Sequence, residues 1–189
     1  MKEKITELTL ARKDAHIFYS SHQLDHYLSA AADYIVAGIE EGDHIILIEN
    51  DRIFSLLEEK LKPLLHKEQL SQILHINNFD YYFSSGSFNP PYIFDYLDNI
   101  LKPYNEHNIS FRTWAHVEWR EQEGILEILE EFENEADRLV NENSLLLVCA
   151  YDAERVPDTL HTALMKCHEF VMTEDSIIPS DLYAKTESA

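Results

Sequence analysis

Arg112, Trp114, His116, Glu118 and Trp119 fall within nine residues, FRTWAHVEW, that otherwise read as a buried strand. An imidazole and a carboxylate in such a place can orient a ligand or move a proton. His116 and Glu118 stand two apart, so on a strand they would point to the same side and share a hydrogen bond at a pocket mouth. The pair reads as an acid/base or ligand-orienting couple, or equally as a satisfied polar cluster that closes the sheet. His22 and His26, in HQLDH, stand four apart and would share a helical face. Zinc proteases use that spacing with a glutamate beside the first histidine; here Gln23 fills the position and no third ligand is evident. Cys149 and Cys167 lack metal-ligand spacing and read as buried, reduced thiols. No metal site is expected, and no cofactor is named by the sequence.

The elements that must position these groups alternate between strand and helix along the chain. HIFYS (16–20) reads as a strand, with Ser20 as the N-cap of a following helix and Gln23 completing a capping box. Leu24, Leu28, Ala31, Ile35 and Ile39 keep helical spacing up to Gly42. HIILIE (44–49) is a continuous apolar run, as in a strand covered on both faces. A helix is expected from about Ile53 to Leu65, and a strand over ILHINNF (73–79). Asn89 and Pro90 read as the cap and first residue of a helix running to about Asn105. After FRTWAHVEW come a helix from about Gly124 to Val140, the strand SLLLVCAYD, and a last helix around 158–168. The pattern predicts one domain over residues 1–175, an α/β three-layer sandwich around a mostly parallel sheet, with a loose tail over 176–189.

Ligands of such sheets gather at the carboxyl ends of the strands. Those ends supply Tyr19–His22, Glu49–Arg52, Asn77–Tyr82, His116–Arg120 and Cys149–Asp152. Asp80–Ser87, with paired tyrosines and Gly86, reads as a movable lid or as a connection packed on the core. The four glycines are scattered, and no phosphate-binding loop or dinucleotide fingerprint occurs, which argues against an NTPase or dinucleotide enzyme. No nucleophile elbow occurs either, although a hydrolase triad is defined by geometry and not by spacing.

Charge narrows the partners. Thirty-five acidic against 15 basic side chains give a formal net charge of −20, which repels nucleic acid and anionic membranes. No apolar run is long enough to span a bilayer and no secretory leader is seen, so a cytoplasmic protein is expected. Residues 121–142 carry nine carboxylates against Arg138 alone. Ile125, Leu129, Phe132, Ala136 and Leu139 form a stripe for the sheet, which assigns the acids to a solvated face or to a basic protein partner. Self-association is left open.

The ordered set of motifs resembles the MEDS domain, the sensory domain of methanogens and methylotrophs found in the dichloromethane-responsive repressor. The resemblance is carried by HIFYSSHQLDHYLSAAADYIVAGIEEGDHIILIEN, SSGSFNPPYIFDYL, FRTWAHVEW, EFENEADRL and VCAYDAERVP. It implies a RecA/KaiC-like core without a working phosphate loop, used to sense small molecules such as hydrocarbon derivatives. The matching positions are Tyr19, Ser20, Phe88, Asn89, Trp119, Tyr151 and Asp152. Where the family's pattern implies a glutamate ahead of the final tryptophan, this chain has His116. The leading expectation is a non-catalytic sensory domain that binds a small organic ligand and regulates a protein partner. Its ligand-binding residues would be Tyr19, Ser20, His22, Asn78, Trp114, His116, Glu118, Trp119, Tyr151 and Asp152. The alternatives are an enzyme using His116 and Glu118, and an acidic interaction module without a ligand.

Overall fold

A computed structural model describes residues 1–184. Seven strands make one sheet: β1 (Ala15–Ser21), β2 (His44–Glu49), β3 (Ile73–Asn77), β4 (Phe111–His116), β5 (Leu146–Asp152), β6 (Phe170–Met172) and β7 (Ile177–Pro179). Their order is β3-β2-β4-β5-β1-β6-β7, and every neighbouring pair is parallel except β6–β7. One face is covered by α1 (Lys2–Ala11), α2 (Leu24–Glu40) and α3 (Asp51–Leu61). The other is covered by α5 (Asn78–Tyr82), α6 (Pro90–Glu106), α7 (Ile125–Asn143) and α8 (Asp158–Cys167), while a short α4 (Lys67–Leu70) leads into β3. This is the expected three-layer α/β sandwich. No helix of the described residues is long and apolar enough to cross a membrane.

Local chemistry explains where the elements begin. Asn50 accepts a hydrogen bond from the amide of Ile53 (2.9 Å), so α3 starts at Asp51, two residues earlier than its apolar pattern indicates. Ser20 does not cap α2. The ladder with β5 carries β1 on to Ser21, and Gln23 becomes the cap residue. His22 therefore precedes the first helical turn and shares no helical face with His26, which pairs with Glu174 at 2.5 Å. Asn77 caps α5 through Phe79 and Asp80, which shortens the third strand. Within the expected lid, Tyr81 and Tyr82 are buried in the core beneath α6. The segment expected to be loose contains β7, and Tyr183 beyond it donates to Asp137 (3.0 Å); residues 185–189 of that segment lie outside the described residues.

The alternation of β4 accounts for the polar groups of FRTWAHVEW. Thr113, Ala115 and Val117 face α6 and α7, whereas Arg112, Trp114 and His116 face α2. Arg112 enters the ladder fully buried, and its guanidinium binds Asp43 through Nε (2.7 Å) and Nη2 (2.5 Å), with Glu41 at 2.8 Å. The stem of Arg112 crosses α2 at Gly38. A Cβ there would lie 2.7 Å from Ile45 Cδ1, 2.8 Å from Arg112 Cδ and 2.9 Å from Arg112 Nε. Arg112 cannot withdraw, because its head is fixed by two carboxylates. Gly38→Ala should therefore destabilise the protein by about 1–3 kcal/mol despite alanine's better helix propensity. Urea denaturation reads this directly; a variant as stable as the parent would show that the crossing is loose.

Candidate functional site

The parallel strands end along one edge, and a cleft of about 260 Å³ opens there between the ends of β1, β4 and β5 and the start of α2. It is lined by Ser21, His22, Gln23, Leu24, Tyr27, Ile53, His116, Tyr151, Asp152 and Glu154. Apolar wall and polar tips are mixed, as in sites that hold small organic molecules.

Beneath the cleft lies a carboxylate that the residue pattern did not single out. Glu49 closes the apolar strand β2 and is completely buried. The register that sets Ile48 beside Ala115 brings the next residues of β2 and β4, Glu49 and His116, together. His116 Nδ1 lies 2.7 Å from Glu49 Oε1, which also accepts from the amide (2.8 Å) and Nδ2 (3.0 Å) of Asn50. Tyr27, from α2, donates to Glu49 Oε2 at 2.5 Å and itself accepts from Trp114 Nε1 at 3.0 Å. A continuous relay thus runs from the cleft through His116, Glu49 and Tyr27 to Trp114 in the core. Both Glu49 oxygens are satisfied, so its burial is compensated. Burial alone would lower the His116 pKa. The hydrogen bond and charge of Glu49, helped by Glu118 and Asp152, outweigh it and raise the pKa above its ordinary value. With Nδ1 held by Glu49, Nε2 is the nitrogen left for a ligand.

The expected pairing of His116 with Glu118 is corrected. Glu118 lies beyond the end of β4 and forms an ion pair with Arg155 (2.5 Å), so it does not line the cleft. Of the other expected site residues, His22, His116, Tyr151 and Asp152 meet at the cleft, and Asp152 also accepts from the amide of Glu154 (3.0 Å). Tyr19 and Trp114 lie below it as core residues 5.5 Å apart, and the Tyr19 hydroxyl has no partner among the described residues. Ser20 is half-buried in the ladder beside Tyr151. Asn78 is buried at the head of α5, where its Nδ2 donates to the His116 carbonyl (3.1 Å); it is a brace and not a cleft residue. Trp119 belongs to the opposite core, 5.6 Å from the Tyr151 ring and under the Arg155 guanidinium at 4.2 Å.

A second correction concerns α7. Seven of the nine acids in 121–142 do point away from the sheet or lie at its margin, but Glu133 and Asp137 are buried on the inner face. Tyr151 donates to Glu133, and His16 of β1 lies 3.4 Å from each of these two acids. Both fall in step with Leu129, Ala136 and Val140, a phase that could have marked them as inward-facing.

Comparison with known families decides the broader assignment. The family model of MEDS, the MEthanogen/methylotroph, DcmR Sensory domain, matches residues 15–169. The chain belongs to the MEDS family. A search of curated proteins gave no match. The matched span of this MEDS domain runs from the first residue of β1 to the residue before β6, so it contains the cleft and the whole Glu49 relay. MEDS domains are sensory domains, which supports a sensing or signalling role. The MEDS-like turn at Phe88 and Asn89 lies elsewhere: Phe88 is buried against Tyr82, and its amide and carbonyl are both held by the Gln122 side chain at 3.2 Å.

The relay makes stability depend on pH with a defined sign. The folded-state pKa of His116 is raised, so its contribution is fully present below the ordinary value of 6.5 and is lost as pH rises through the folded-state value. NMR titration should show the His116 imidazole deprotonating above 6.5, and Glu49→Gln should lower that midpoint. An unchanged midpoint in Glu49→Gln would mean that another group holds the proton.

Proposed function

We propose that this MEDS domain is a non-catalytic sensor whose cleft binds a small, partly apolar organic molecule carrying a hydrogen-bond acceptor. The observation that carries this reading is the relay from the cleft to Trp114: a group bound at His116 touches a side chain coupled through Glu49 and Tyr27 to the core packing of α2 on β4. Leu24, Tyr27 and Ile53 offer apolar wall, His116 offers a cationic donor, and Asp152 and Glu154 disfavour strongly anionic ligands at the rim. A ligand shifts a conformational population only through different affinities for two states, and a relay that changes its hydrogen bonds on binding supplies such a difference. The output is a regulated protein partner, for which the exposed acids of α7 (Glu127, Glu130, Glu131) form a surface suited to a basic patch. The same reading takes the fold as a RecA/KaiC-like core that has lost nucleotide binding, since the β1–α2 turn, Ser21–Gln23, contains neither glycine nor lysine.

A panel of small alcohols, carboxylates and halogenated one- and two-carbon compounds, screened by thermal shift, tests the reading. A stabilising compound should change Trp114 emission in a Trp119→Phe background. Its affinity should fall at least about ten-fold in His116→Ala, corresponding to roughly 1.4 kcal/mol. Turnover of a bound compound, lost in His116→Ala while binding persists, would instead make His116 an acid/base with Glu49 behind it. Binding that is indifferent to His116 would place the ligand elsewhere.

A further inference from the structure

On the opposite side of the sheet, four side chains from distant parts of the chain converge in a place the sensory reading does not use. His16 on β1, Cys149 on β5, Glu133 on α7 and His168 at the end of α8 each offer one donor atom, all within 4.8 Å of one another, and all four residues are buried. His16 Nε2 lies 3.4 Å from Glu133 Oε2 and 3.5 Å from Cys149 Sγ, and His168 Nε2 lies 3.5 Å from Glu133 Oε2. Tetrahedral zinc, with Zn–N of about 2.0–2.1 Å and Zn–S of about 2.3 Å, places its ligand atoms roughly 3.3–3.7 Å apart. Three of the six donor separations here already have that length.

The surroundings orient three of the donors inward. His16 Nδ1 meets the Cys167 carbonyl (3.0 Å) with Asp137 behind it (3.4 Å), and His168 Nδ1 meets the Leu164 carbonyl (2.8 Å). A backbone carbonyl on Nδ1 fixes the tautomer that presents a bare Nε2, the usual outer support of a metal-bound histidine. Tyr151 donates to Glu133 Oε1, which leaves Oε2 facing the centre. Glu133 Oε2 and His168 Nε2 have no hydrogen-bond partner among the described residues, although both side chains are fully buried. Two such orphans facing one point are costly unless something occupies it.

A proton on His16 is the competing occupant. Burial opposes it, but Asp137 and Glu133 outweigh burial and raise the His16 pKa to about 9, while burial and the charge of His16 push His168, stacked 3.8 Å away, down to about 3. That state still leaves His168 Nε2 without a donor. A divalent ion engages all four groups and is neutralised by one thiolate and one carboxylate. On binding it releases the thiol proton of Cys149 and the second proton of His16 to solvent. We propose that His16, Glu133, Cys149 and His168 form a closed structural site for a divalent transition metal, zinc by its donor set, that pins α7 and the end of α8 to β1 and β5.

Tag-free protein prepared without metal-affinity steps and analysed by plasma mass spectrometry should carry about one zinc per chain. Its removal under chelation should lower the melting temperature by roughly 5–10 °C. Cobalt refolded into the wild-type chain should give tetrahedral d–d bands and a thiolate charge-transfer band, the latter absent from folded Cys149→Ser; the wild-type spectrum decides even where variants fail to fold. Folded protein that has been refolded with excess zinc and still holds less than about a tenth of an equivalent, with an unchanged melting temperature, overturns the site. A folded His168→Gln protein with full zinc content overturns it equally.

Discussion

Each of the strands that carry the site is roofed by helices on both sides, so a charged side chain placed on it below the cleft has no route to water and must be neutralised by an adjoining element. Most of the structure's polar chemistry answers that constraint. Arg112 is met by Asp43 and Glu41 from the turn before β2, Glu49 by Tyr27, Asn50 and His116 at the end of that strand, and His16 by Glu133 and Asp137 from α7. Breaking a buried pair by removing one partner costs about 3–5 kcal/mol, because the other charge stays behind. These groups are therefore as constraining as the apolar core around them, and they fix which helix lies against which strand.

The two buried glutamates show how differently the constraint is met. Glu49 is surrounded by donors on both oxygens, and two members of its network, Tyr27 and the titratable imidazole of His116, reach the cleft. Glu133 is satisfied on one oxygen only and shares its space with a thiol and with two imidazoles that compete for a single positive charge. The first arrangement is complete and adjustable, as a responsive element requires. The second is incomplete as protein alone, as a binding point requires.

Strand and helix order, the three layers and the edge where the cleft opens were legible because apolar runs and their caps are local signals. Helix α1 was not seen, since among its ten residues only Ile5 and Thr9 are buried and no apolar stripe forms. The strands β6 and β7 are three residues each, too short for an alternation to show. His22, His116, Tyr151 and Asp152 could be placed at the cleft from strand-end reasoning. The same reasoning put Glu49 at that edge but could not pair it with His116, because the pairing depends on β2 lying beside β4, and neighbour order in a parallel sheet leaves no mark on spacing along the chain. The same blindness hid the convergence of His16, Glu133, Cys149 and His168, whose members are separated by as many as 152 positions.

Successive residues of a strand belong to different cores: Cys149 and Tyr151 sit with α7 and α8, whereas Val148 and Ala150 sit with α2. The sheet is thus a partition between two compartments, bridged at Tyr151, which lines the cleft and donates to Glu133 on the α7 side. Substitutions at Tyr27 or Ile53, which line the cleft from the α2 side, alter side chains that pack in the first core only. A lineage can retune one compartment to a new molecule while the other is inherited unchanged and keeps the strands in register.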